Sequence, residues 1–205
     1  MPGTKAPESV RREQILEAAY RVASSRGLAG TRIQEVAERA RVSHGLVLFH
    51  FKSKRALTLA LLDWLLGTTT DLHFGEEIRR LPTPMDRLLA LLRQEMGRLA
   101  SEPQRTRLTF EYWSASIRDR EVRARMRNEF RRYREAFRPL AEAVLAGDPE
   151  RFRGVTAGGL AAVSVSFIKG CAVQAMLDRD SFDIADYLRA AESLLEQMGS
   201  GVACS

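Results

Sequence analysis

Cysteine is scarce in this 205-residue chain, with two residues, Cys171 and Cys204, set far apart. Two such thiols build no disulfide framework and have no metal-ligand spacing, which suits a reducing, cytoplasmic setting. Low-complexity tracts are missing, and 45% hydrophobic with 28% charged residues is a globular composition. The first 14 residues lack an apolar run, so no signal peptide is expected. No nucleophile–base pair, phosphate loop or Cys/His/Asp/Glu cluster can be read, so neither catalysis nor a metal or cofactor is expected. Of three histidines, His44 and His50 are six apart and do not share a helical face, and His73 is expected in solvent.

Long apolar runs are nearly absent. The exception is 155–177, which carries one charge, Lys169, in 23 residues. That length could span a bilayer. Its richness in Gly, Ala, Ser and Thr, and the cost of a central lysine in lipid, favour a buried interface helix and no membrane role.

Acidic residues are depleted in one place. Residues 1–57 hold 11 Lys/Arg against 5 Asp/Glu, whereas the rest holds 21 of each. The whole net charge of +6 therefore lies at one end. Such asymmetry points to a polyanionic partner there, with a solubilising basic surface as the plainer alternative.

Alternating strand patterns are missing as well, and the periodicity throughout is helical, which predicts an all-α fold of about nine helices. Residues 1–9 read as a flexible arm. Ile15, Leu16, Ala19, Val22 and Ala23 mark the inner face of a first helix, with Gly27 as its C-cap glycine. Thr31 with Gln34 suggests a capping box for a short second helix. Arg41-Val42 is a turn, Ser43 caps a segment 44–51, and Ser53 caps a longer helix through Leu65. Residues 67–84 read as an irregular connector. Thr83 caps the next helix, with Pro84 in its first turn. Helices then follow over about 103–117, 121–145, 155–177 and 183–198.

Two short helices around a tight turn are what a helix-turn-helix requires, the second presenting its N-terminal side chains to the major groove. The spacing Gly27, Thr31, Ile33, Val36, Ala37, Ala40, Arg41, Val42, Ser43, Gly45, followed by Phe49, His50, Phe51, Ser53, Lys54 and Leu57, resembles the tetracycline-repressor (TetR) family. The resemblance implies homodimers with a DNA-binding head at 10–57, a linking helix at 54–67, and a ligand-binding and dimerisation domain at 58–199 before a tail at 200–205. It places Thr31 and Arg32 at the start of the supporting helix, near phosphate. Ser43, His44, Gly45 and Leu46 form the leading edge of the recognition helix. Leu48 and His50 match positions that face the DNA backbone, Phe49 belongs to the same DNA-binding set, and Lys54 pairs with phosphate. Arg41 stands where family members often have glycine, and adds a charge within reach of phosphate. Leu46 and Leu48 stand where polar groups are usual, so Leu46 is left with apolar contact such as a thymine methyl.

Residues 112–119 are similar to the choline-responsive BetI branch of that family. The function implied is a sequence-specific repressor, released from a palindromic operator in double-stranded DNA by a small-molecule effector. A helical carrier or enzyme with a vestigial head is the alternative. Trp64, Met96, Phe110, Trp113, Phe130 and Phe167 are candidates for an effector pocket between helices, or for plain core. Glu95 and Glu111 are candidates to face a cationic ligand, with a surface position the favoured reading for Glu111. Small residues over 157–170, with the apolar stripe of the last helix, suggest a dimer interface through Ala162, Ser166, Gly170, Tyr187, Leu188 and Leu195. The arginine-rich stretch 118–138 is expected to be a salt-bridged, solvated face.

Overall fold

The computed structural model describes residues 7–67 and 75–197. Among the described residues there are ten helices and no strand. The chain divides into two compact units, Met1–Thr70 with Arg107–Asn128, and Asp71–Thr106 with Glu129–Ser205. Residues 1–6 of the expected arm, His73, Met198 and the 200–205 tail, with Cys204, lie outside the described residues.

The first unit is built on α1 (Glu8–Gly30), α2 (Ile33–Ala40), α3 (His44–Phe51) and α4 (Lys54–Gly67), joined by α7 (Pro103–Ala115) from Arg107 onward and by the start of α8 (Arg120–Gly147). Helix α1 begins at Glu8, inside the segment expected to be an arm, because Pro7 at the N-cap has no N–H to leave unsatisfied. Its Ile15, Leu16, Ala19, Val22 and Ala23 are buried as the periodicity predicts. At φ 74°, ψ 169° Gly27 adopts a positive-φ, extended backbone that glycine alone tolerates readily, in place of the expected C-cap, and the chain resumes helix for one more turn to Gly30. Helix α4 buries Leu57, Leu61, Leu62, Leu65 and Leu66 against its neighbours. Each fully buried leucine contributes roughly 1.5–3 kcal/mol.

The second unit holds α5 (Glu76–Arg79), α6 (Pro84–Ser101), α8 from Glu129 onward, α9 (Ala157–Leu177) and α10 (Ile184–Gln197). Helix α5 lies in the expected connector and is anchored by buried Ile78. Thr83 caps α6 as predicted, and Asp86 completes a capping box with it. The core comprises Leu88, Leu91, Leu92 and Met96 of α6, Tyr133 and Phe137 of α8, and Leu160, Ala161, Val165 and Ile168 of α9. Helix α9 is long and apolar enough to cross a membrane by length and composition, yet seven of its residues are buried within the chain.

The dimer candidates divide. Leu195 is fully buried in its own chain, so it cannot meet a partner. A Cβ on Gly170 would stand 3.1 Å from the Tyr187 hydroxyl, and that hydroxyl donates to the Phe167 carbonyl at 3.1 Å. Gly170 and Tyr187 therefore serve the close approach of α9 and α10 within one chain. Ser166 is exposed, and Ala162 and Leu188 are half-buried. Beside them Val163, Leu177 and Leu194 are open to solvent.

Candidate nucleic-acid interface

The interface rests on how α2 and α3 are joined. Helix α2 ends at Arg41, a non-glycine residue at φ 55°, ψ 45°. Its N–H bonds the Glu38 carbonyl and the next N–H, from Val42, bonds the Ala37 carbonyl. These bonds occupy the open carbonyls at the helix end and turn the chain sharply. The glycine usual at this place in the family has a physical reason: the conformation is left-handed. In this chain an exposed arginine occupies it.

Ser43 then caps α3. Its Oγ accepts the Leu46 N–H at 3.2 Å, as the sequence suggested, which leaves the hydroxyl proton free to donate. Val47 and Phe51 are buried and pin α3 to the unit. Ser43, His44, Gly45 and Phe49 are exposed, and Leu46, Leu48 and His50 are half-buried. Gly45 meets nothing within 4 Å of where a side chain would begin. Phe49 is 61% exposed, an unusual position for so large an apolar ring, and the Lys52 ammonium sits 5.0 Å from its centroid. The exposed face of α3 thus offers an imidazole, a hydroxyl, an aromatic ring and open backbone, with no carboxylate on the helix.

Two expected contacts are used differently. Thr31 is not the cap of α2: Arg32 occupies that position, with no side-chain capping bond, and Gln34 bonds Glu38. The Thr31 hydroxyl is buried and donates to the Gly27 carbonyl at 2.9 Å, because the kink there leaves that carbonyl open. Its side chain is therefore withdrawn from phosphate. Arg32 itself is exposed. Lys54 is exposed too, but its ammonium donates to the Ala29 carbonyl at 2.9 Å, tying the start of α4 to the end of α1. Two of its three protons remain for another acceptor.

Sequence reasoning overlooked several residues. Arg12, Arg39 and Lys52 are exposed cations in the same unit, with no ion pair among the described residues. Their signal was the basic bias of 1–57, which does not single out positions. Arg55, a further cation of the basic segment, is clasped by two carboxylates, Asp119 at 2.7 Å and Glu121 at 2.8 Å. The Asp119 bond raises the Arg55 pKa, and Arg55 in turn holds the Asp119 carboxyl down at about 2. Glu111 is no ligand for a cation: its carboxylate accepts the Leu28 N–H at 2.7 Å.

The aromatic pocket candidates do not gather in one unit. Trp64, Phe110 and Trp113 belong to the first, where Trp64 packs on Tyr20 and bonds Glu13, and Phe110 stacks on Trp113. Met96, Phe130 and Phe167 belong to the second, where Met96 is fully buried core and the other two are half-buried. The arginine-rich stretch is salt-bridged as expected, with Arg125 on Asp63, Arg132 on Glu129 and Arg138 on Glu135.

Comparison with known proteins places this geometry. Residues 15–61 match the model of the bacterial regulatory proteins of the tetR family, and residues 84–200 match the C-terminal model of BetI-type transcriptional repressors. The chain is 34% identical over 105 residues to the regulator TtgR of Pseudomonas putida, a match covering 51% of this chain and 50% of that protein. It is 28% identical over 189 residues to the regulator BetI of Paraburkholderia phymatum, covering 91% and 92%. The match thus spans about half the length of TtgR and nearly all of that BetI. A solved regulator from Saccharomonospora viridis, in complex with choline, shares the fold with a TM-score of 0.76 at 19% identity, over 92% of this chain and 97% of that one. With both models matched in order, and the second alone spanning more than half the sequence, the chain belongs to the tetracycline-repressor family of transcriptional regulators, with a BetI-type C-terminal part.

Proposed function

We propose that this protein is a sequence-specific DNA-binding repressor that acts in the cytoplasm as a homodimer and leaves its operator when a small molecule binds. The observation that carries the reading is the exposed, carboxylate-free face of α3, capped by Ser43 and flanked by unpaired cations. Ser43, His44, Gly45 and Phe49 enter the major groove, with Leu46 at its margin. Arg32, Arg41, Lys52 and Lys54 meet phosphate, supported by the positive end of the helix dipole. Phosphate contacts set register and orientation, while the few base-edge contacts carry sequence preference.

A dimer would read two half-sites about one helical turn, or a small multiple, apart. The exposed α9–α10 surface with Val163, Ser166 and Leu194 is the proposed dimer face. Effector binding releases DNA only if the effector binds the DNA-incompetent conformation better. The test is binding of the purified protein to fragments upstream of its own and neighbouring genes, against competitor DNA. A discrete preferred fragment supports the reading, and uniform binding across all fragments sinks it. In the Lys54→Ala variant affinity should drop and the salt dependence should flatten by about one unit of slope per subunit.

A further inference from the structure

The second unit contains a group of ionisable side chains that the DNA interface does not use. Glu95 is 1% exposed and lies on α6. Arg98, one turn on, pairs with its carboxylate, and the Tyr133 hydroxyl donates to the same carboxylate. Glu129, on the α8 face shared with Tyr133, is buried beside Arg132. Each of these carboxylates thus has its own arginine. Lys169 of α9 is hydrogen-bonded to neither, although the charges of Glu129 and Glu95 favour its ammonium. Its ammonium lies over the Tyr133 ring at 4.6 Å from the centroid, and among the described residues it forms no hydrogen bond or ion pair. One turn away on either side along α9 are Val165 and Val173.

From this arrangement we infer that the second unit holds an effector site for a small, mainly apolar carboxylate, with Lys169 as its anchoring cation. The assignment rests on the effector-responsive reading above. A half-buried ammonium without a hydrogen-bonded anion is incompletely compensated, and a ligand carboxylate would supply the missing bond. Burial pushes the Lys169 amine down to about 8, in keeping with that shortfall. A single cation flanked by Glu95 and Glu129 suits a monoanion, since a phosphate dianion would meet two carboxylates and one free charge. A cationic ligand would need the Tyr133 face and the Glu95 carboxylate. Lys169 covers the first, and Arg98 with the Tyr133 hydroxyl engages the second. Choline, with which the Saccharomonospora viridis regulator was solved, would find neither of these two groups free in this chain.

The experiment is calorimetric titration of the full-length protein with octanoate and benzoate, set against octanamide, benzamide and choline. At least one carboxylate should bind tenfold or more tightly than its amide. Lys169→Met should erase that advantage, and Lys169→Arg should keep most of it. Far-UV circular dichroism checks that each variant folds. If Lys169→Met does not fold, the wild-type carboxylate-to-amide ratio and the Lys169→Arg variant decide. Equal binding of acid and amide, unchanged octanoate or benzoate affinity in Lys169→Met, preferential binding of choline, or no binding of either carboxylate each overturns the assignment. Promoter-fragment binding is measured on the same preparation. Selective DNA binding with no carboxylate binding sinks this site alone, whereas Lys169-dependent carboxylate binding without DNA selectivity sinks the repressor reading alone.

Discussion

The Glu111 carboxylate accepts the Leu28 N–H at 2.7 Å, and a Cβ on Gly27 would stand 3.2 Å from the same oxygen. The kink of α1 thus depends on a glycine that adopts φ 74° and on a carboxylate from α7 that takes the amide freed there. Gly27→Ala should destabilise the fold by about 2 kcal/mol, from strain in a positive-φ region closed to side chains plus displacement of Glu111. Glu111→Ala should lose about 1.5 kcal/mol, the value of a charge-assisted bond to a half-buried amide. Urea denaturation of both variants measures this, and an unchanged Gly27→Ala midpoint would contradict it.

Arg41 stores strain at the turn of the helix-turn-helix. Arg41→Gly should raise stability by about 0.5–1 kcal/mol, the left-handed penalty less the entropy glycine adds to the unfolded chain. The same change removes an exposed cation, so DNA affinity should fall while the melting temperature rises. Opposite signs in the two assays identify Arg41 as a phosphate contact kept against its conformational cost. If both quantities rise together, its charge does not meet DNA.

Arg55 and Asp119 give an acid-sensitive clasp. The Asp119 carboxyl sits at about 2 in the fold against an ordinary 3.8, held down first by the Arg55 bond. A depressed carboxyl binds fewer protons when folded, so its contribution is complete above about 3.8 and is lost as pH falls through about 2. Wild-type protein should therefore lose more stability between pH 5 and about 2 than Asp119→Asn does. Denaturation curves at both pH values test this, and parallel losses would show that the clasp contributes nothing measurable.

Leu194 and Leu195 are chain neighbours with opposite environments, 58% and 0% exposed. Leu195→Ala should cost about 2–5 kcal/mol, as cavity-forming core truncations do. Leu194→Glu should leave the melting temperature of the isolated chain nearly unchanged but shift sedimentation from dimer to monomer. A dimer that persists in Leu194→Glu would move the interface away from this part of α10.

Much of this was legible in the sequence because local chemistry dictated it. Ser43, Ser53 and Thr83 were readable as caps, since a hydroxyl before an apolar period has few other uses. The tight turn at Arg41-Val42 was readable from the spacing of the motif. Thr31 misled because its hydroxyl answers the Gly27 carbonyl, an orphan made by a kink four residues back rather than by the helix ahead. The Arg55 clasp and the Glu111 bond were not legible because their partners lie more than 60 and 80 positions away in the chain, where periodicity carries no information. Gly170 was expected at a dimer interface, but a small residue does not say whether the approaching helix belongs to the same chain, and here it is α10 of the same chain.

The clasp on Arg55 also bears on how the head finds DNA. At physiological ionic strength charges are screened beyond about 8 Å. From that distance one guanidinium held between two carboxylates carries a net charge of about −1, so Arg55 draws no polyelectrolyte toward it. The steering field comes instead from Arg12, Arg32, Arg39, Arg41, Lys52 and Lys54, all exposed. Their shared effect lies in encounter frequency, so neutralising any of them should slow association more than it hastens departure.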